Sequence, residues 1–265
     1  MEHHYTFGMK IYRKSALRVA LLLGLVTAGC SKKHQEPTQR QAPPAAASVA
    51  PSSVEAKAFA IAQSGKASFL IDAPLEKIRG EATGFRGSLS IDPENLSRSR
   101  GEIEVDLATL ATDTFDDKDK NARQTEHAHN WLGLGSDVPD QERRENQWVR
   151  FTIGSLTAVP AKLADAPVDN GRRRIKAQVS GMLWLHGVAV PKAVEAEVSF
   201  GGPAEAPTDL VVSTISPLLI SLRQHDVKPR DLAGKFLQGA LEKIGDKIVD
   251  QVKVSFDLRA KPAGK

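Results

Sequence analysis

From about residue 57 onward, apolar and polar residues alternate along much of this chain, and a period of two marks a strand with one buried face. The clearest stretch is Gln178–Phe200. On its first arm Val179, Leu183 and Leu185 share a face with Gly181; on its second, Val194, Ala196, Val198 and Phe200 alternate with Glu195, Glu197 and Ser199. The pattern predicts a β-hairpin, with Gly187 taking a positive φ at the reversal and Pro191, which lacks an N–H, near the start of the returning strand. The same alternation groups Ala67, Phe69 and Ile71; Phe85, Leu89 and Ile91; Ile103, Val105 and Leu107; and Val149, Phe151 and Ile153. Pro160–Arg174 reads as a loop, Leu210–Leu222 as strand interrupted by Pro217, and Val252, Val254, Phe256 and Leu258 as a last strand. Eight or nine strands without helical crossovers between most of them argue against a parallel α/β sheet and for an up-and-down barrel or a sandwich.

Two segments carry a helical pattern instead. Asp116–Leu134 is polar and stops at Gly133-Leu134-Gly135. Pro229–Gln251 places Leu232, Phe236, Ala240, Leu241, Ile244 and Ile248 on one stripe. Its other face mixes Lys235, Glu242, Lys243, Asp246 and Lys247, a balance that predicts packing on the barrel or over one mouth rather than on a membrane surface.

Three runs in this order carry a family resemblance. Leu183–Pro191 (LWLHGVAVP) resembles the hairpin motif of the YceI-like family, Gly84–Pro93 (GFRGSLSIDP) resembles the strand and turn that come earlier in that family, and Glu102–Thr109 (EIEVDLAT) resembles the strand after it. The similarity covers roughly residues 59–261. It implies an all-β fold: an antiparallel, lipocalin-like up-and-down barrel of about eight strands with one or two accessory helices, spanning residues 57–263. It also implies a bacterial envelope protein that binds a long apolar lipid, polyisoprenoid or quinone-like, for carriage, storage or sequestration. No cofactor is implied beyond such a bound isoprenoid. Phe59–Phe69 keeps the spacing of the family's opening segment without its aspartate and histidine, and Asp116–Leu134 replaces another polar family segment.

If the apolar strand faces point inward, Phe85, Leu89, Val105, Phe151, Ile153, Leu183, Val198 and Phe200 line a common cavity, because residues two apart on a strand face the same way. An apolar cavity selects an apolar ligand at about 25 cal/mol per Å² buried. Two other readings remain at this point: a barrel filled by its own side chains and serving as a scaffold, and an enzyme acting on a lipid inside the barrel.

Composition changes the picture mainly at the N-terminus. With 41% hydrophobic and 26% charged residues the chain is globular, and its 5% aromatic content supplies too few stacking platforms for nucleic-acid binding. Residues 1–29 hold four of the 36 Lys and Arg and one of the 32 Asp and Glu, so the net charge of +4 falls to +1 beyond them and names no partner. Within 1–29, Lys10, Arg13 and Lys14 precede the apolar run Val19–Gly29, which is too short to span a bilayer and reads as a secretory signal with Met9 as a plausible start. The run Val26-Thr27-Ala28-Gly29-Cys30 resembles a bacterial lipobox, which makes Cys30, the only cysteine, the expected lipidation site. Residues 30–56, rich in Pro, Ala, Gln and Ser, read as a disordered tether holding the domain off the membrane. The expected location is the periplasm, on an N-terminal acyl anchor, and Ser31 in place of aspartate leans toward the outer membrane.

No catalytic or metal site is expected. There is no Gly-x-Ser-x-Gly, phosphate-cradling glycine loop, HExxH or EF-hand pattern. His127 and His129 lie two apart on a helix and point about 200° from each other, which does not suit a shared metal. His186 is expected to bond turn carbonyls at the hairpin tip, and His225-Asp226 to cap a strand before a helix.

Overall fold

A computed structural model describes residues 56–72, 77–227 and 250–264. The strands are β1 (Lys57–Ile61), β2 (Lys66–Asp72), β3 (Lys77–Ala82), β4 (Phe85–Ile91), β5 (Arg100–Asp106) and β6 (Ala111–Thr112). Two helices follow, α1 (Lys118–Trp131) and α2 (Asp140–Asn146). The remaining strands are β7 (Trp148–Val159), β8 (Val168–Asp169), β9 (Arg172–Leu185), β10 (Val188–Gly201), β11 (Asp209–Thr214), β12 (Leu218–Ser221) and β13 (Gln251–Pro262).

Eight of these strands close a barrel in chain order, β1-β4-β5-β7-β9-β10-β11-β13, with every pairing antiparallel and β13 returning to β1 through Phe59↔Pro262 and Ile61↔Ala260. This is the expected up-and-down barrel. At one end its wall is lengthened by extra strands. β13 is long enough to pair β1 and then β2 along one side, and β11 and then β12 along the other, with Pro217 in the break between the latter two. β2 carries β3 and the short β6 outward from there.

The central hairpin has the predicted register, with Val194 opposite Val179, and Leu183 opposite Val190. Its two-residue turn, His186-Gly187, has positive φ at both positions (52° and 75°), the primed turn whose twist suits a hairpin. Gly187 was legible in the sequence; a histidine in the left-handed region was not. Pro191 sits where β10 has β9 on one side only, because β11 begins pairing at Ala196, so no ladder bond is lost.

Three expectations need correction or lie elsewhere. The loop over Pro160–Arg174 contains β8 and the first residues of β9, since Val168–Asp169 pairs with Arg172–Arg173 across an Asn170-Gly171 turn. The helix expected over Pro229–Gln251 falls outside the described residues apart from its end, where Gln251 begins β13 instead. The leader, Cys30 and the tether up to residue 55 also lie outside the described residues.

Candidate functional site

Inward-facing side chains divide the barrel into two unlike halves. At the end where β4 meets β5, Phe59, Phe200, Leu163, Leu210 and Leu258 are at most 2% exposed and pack with Leu89, Ile175 and Val198 into a filled core. Leu96 and Leu163 close this end from two loops bound to each other: Leu96 N–H donates to Ala161 O at 2.9 Å and Leu163 N–H to Pro93 O at 2.9 Å.

The opposite half is hollow. A cavity of about 160 Å³ lies under α1, lined among others by Phe69, Leu107, Trp131, Leu185, Ile220 and Val252. A second chamber of about 100 Å³ continues deeper, lined by Phe85, Ile103, Phe151, Leu183, Ala196 and Phe256, among others. Ala67, Val105, Val149, Ile220 and Val254 border both. Every described lining residue is apolar, and no charged side chain is among them.

The roof is built by α1. Its start is fixed by Asp117, whose carboxylate accepts from Asp119 N–H and Lys120 N–H. Thr112 on β6 clamps the helix side-on: its hydroxyl donates to Asn121 O at 2.9 Å, and its N–H donates to Thr125 Oγ1 at 2.9 Å. Ala128, Trp131 and Leu132, spaced three and four apart, then face the cavity from an otherwise polar helix. Trp131 buries its indole Nε1–H with no acceptor among the described residues.

Glycines make room for the rings in the wall. A Cβ on Gly80 would fall 2.7 Å from Phe69 Cζ, one on Gly181 2.8 Å from Phe151 Cζ, and one on Gly65 2.5 Å from Phe85 Cδ2. These three rings pack against backbone at positions where any side chain larger than glycine's would exclude them.

Of the residues read from sequence as one cavity lining, Phe85, Val105, Phe151 and Leu183 line the chambers. Leu89, Val198 and Phe200 are in the packed half instead, and Ile153 sits at the β7 bulge between the halves. Inward orientation was legible from period two; position along the barrel axis was not. Missed lining residues include Phe69, Trp131, Leu132, Leu185, Ile220 and Val252. Phe69 and Val252 carried a signal in their strand alternation, whereas Trp131 and Leu132 were hidden in a polar helix.

Outside the wall, β4, β5 and β7 are tied by an ion ladder. Arg86 Nε donates to Glu104 Oε2 at 2.5 Å, Arg150 Nε to Glu104 Oε1 at 2.9 Å, and the Arg86 guanidinium stacks 3.4 Å from the Trp148 ring centre. Burial pushes the Glu104 carboxyl up, but the bonds and charges of Arg86 and Arg150 outweigh it and hold it below the usual range. At the hairpin tip His225, fully buried, holds its Nδ1 3.1 Å from Val188 O, so it ties the turn to the segment after β12. Burial depresses its pKa. Among the described residues no group of three or more His, Cys, Asp or Glu is placed to hold a metal.

A closed antiparallel barrel with an apolar chamber under a helix is the class this chain belongs to by architecture. Its family follows from sequence: residues 61–260 match the YceI-like domain, and the chain belongs to that family. Among solved structures it is similar to a polyisoprenoid binding domain from Saccharophagus degradans implicated in plant cell wall breakdown, at 19% identity and a TM-score of 0.50, covering 78% of this chain and 99% of that one. It is also similar to BcnA of Burkholderia cenocepacia (18% identity, TM-score 0.44, covering 74% and 96%) and to a YceI protein of Campylobacter jejuni (12%, 0.38, 70% and 85%). No curated protein matches the chain.

Proposed function

We propose that this chain is an envelope lipoprotein that holds an apolar lipid tail in the chambers beneath α1, for carriage, storage or sequestration. The observation that carries this reading is the pair of adjoining chambers with wholly apolar described linings. Apart from the Trp131 indole N–H, such a lining offers a ligand burial alone, so the favoured occupant is a hydrocarbon chain, isoprenoid or quinone-like. The polyisoprenoid binding of the Saccharophagus relative supports the same ligand class. Binding is preferred to catalysis because no described residue lining either chamber is a nucleophile, acid or base.

Anchoring rests on the sequence alone: acyl groups on Cys30 attach the chain to the membrane, and residues 31–56 let the barrel stand off into the periplasm, with Ser31 favouring the outer membrane. Native mass spectrometry and solvent extraction of the protein purified from the membrane fraction test both parts. The expected result is an acylated Cys30 and one apolar lipid per chain. A mature protein beginning beyond Cys30 removes the anchor, and a chain that carries no lipid and takes none up removes the binding role.

A further inference from the structure

The wall of the hollow half has a seam, and a lysine stands in it. β10 pairs with β9 along its whole length, but β11 covers its other edge only as far as Glu195, whose carbonyl accepts from Ile215 N–H at 2.8 Å. β12 continues the lane of β11 and pairs with β13. Among the described residues no backbone hydrogen bond joins β12 to Val188–Val194 of β10. The deeper chamber lies directly inside this seam, since Val194 on one side and Leu218 and Ile220 on the other all line it. Two side-chain contacts tie β10 to the segment after β12: Lys192 Nζ donates to Gln224 Oε1 at 3.5 Å, and His225 Nδ1 lies 3.1 Å from Val188 O.

Lys192 is opposite Gly181, on the inward face that carries Val179, Leu183 and Val194. The other inward strand positions of the hairpin from Val179 to Val194 are valine, leucine or glycine. The wall has no use for a cation on that face. Its described partner is the neutral amide of Gln224, at the long limit for a hydrogen bond, and no described carboxylate pairs with it. The half-buried stem runs along apolar wall while the ammonium reaches the solvent end of the seam, the position from which a lysine meets a charged group at a water boundary. The N–H of Ala193 faces the seam too, because residues two apart on a strand edge point the same way and Glu195 points at β11. We propose, on the lipid-binding reading above, that the ligand is an amphiphile with an anionic head, carboxylate or phosphate, which Lys192 holds at the seam between β10 and β12 while the tail lies in the chambers.

The test offers the purified full-length protein two matched pairs, myristate with myristyl alcohol and farnesyl phosphate with farnesol. Each pair is supplied at equal mole fraction in the same non-ionic micelles, at a pH above the ordinary carboxylate range, and retained lipid is read by mass spectrometry after gel filtration. The quantity compared is the ratio of anion to alcohol in wild type and in Lys192→Gln, so that partition into micelles cancels. Expected is a ratio about tenfold higher in wild type, the size of one charge-assisted hydrogen bond, kept by Lys192→Arg and reduced by added salt. A Lys192-dependent preference in one pair alone supports the proposal and identifies the anion. The same ratio in wild type and Lys192→Gln overturns the head site and leaves lipid binding standing. Retention of neither acids nor alcohols by wild type overturns the lipid-binding reading itself, and the head site with it. If Lys192→Gln fails to fold, the salt series on wild type still decides, and a ratio indifferent to salt counts against the proposal.

Discussion

A tryptophan placed at Leu183 and at Leu258 separates the hollow half of the barrel from the filled one. Both leucines point inward from long strands, at 3% and 0% exposure. Leu183 borders a chamber of about 100 Å³ that adjoins one of about 160 Å³, whereas Leu258 is enclosed by the packed core around Phe59 and Phe200. At Leu258 the added ring has no space, and overpacking of this kind costs about 1–3 kcal/mol or more. For a domain of this size that is roughly 2–4 °C of Tm per kcal/mol, a drop of about 2–12 °C. At Leu183 the ring occupies existing space and gains burial at about 25 cal/mol per Å², so the net change is expected within about 1 kcal/mol. Thermal unfolding followed by circular dichroism reads both variants against wild type, and lipid extraction reads occupancy. Leu183→Trp should keep its Tm and lose bound lipid. Equal Tm losses in the two variants would refute the division of the barrel into hollow and packed halves.

Three further outcomes are expected. Gly181→Ala should lower stability by about 1–3 kcal/mol in urea unfolding, because its Cβ would meet Thr152 O at 2.2 Å and the Phe151 ring at 2.8 Å; wild-type stability would show that the ring has slack. Glu104→Gln should cost about 1–3 kcal/mol, since it strips Arg150 of its nearest carboxylate. Because the folded-state pKa of Glu104 lies below its unfolded value, its contribution is present above the ordinary carboxylate range and disappears as pH falls through the folded value, so the variant should lose less than wild type on acidification. His225→Ala should cost about 2–4 kcal/mol, from the void and the lost bond to Val188 O. With its folded pKa depressed by burial, neutral His225 supports the fold above the ordinary histidine range, and wild type should weaken as pH drops below that range while His225→Ala does not follow. An identical pH profile in the two proteins would show that His225 does not titrate with unfolding.

Much of the architecture was legible because period two is a strong signal and most strands here have one wet face. Val194, Ala196, Val198 and Phe200 were assigned inward from their neighbours Glu195, Glu197 and Ser199, and all four are buried. What alternation does not encode is depth: Val198 and Val194 look equivalent in sequence, yet one packs with the closed end and the other borders the deeper chamber. Depth is set by register across eight strands, by the bulge between Ile153 and Ser155, and by which strands lengthen the wall. The roof was hidden for another reason. Only Ala128, Trp131 and Leu132 of α1 face the cavity, a stripe too short to change the reading of a polar helix. The pairing of Phe69 with Gly80, and of Phe151's ring with Gly181, also became visible only once the strands were in register.

Trp131 provides the most direct measurement of the central claim. Of the three tryptophans it alone lines the cavity, since Trp148 lies outside under Arg86 and Trp184 sits on the outward face of β9. A Trp148→Phe/Trp184→Phe protein therefore reports on the chamber by fluorescence. Titrated with a bromine-labelled fatty alcohol, it should show saturable quenching of Trp131 at one ligand per chain, abolished by Leu183→Trp read through ligand retention. Tight binding of the same alcohol without quenching would place the lipid elsewhere on the protein and contradict the account.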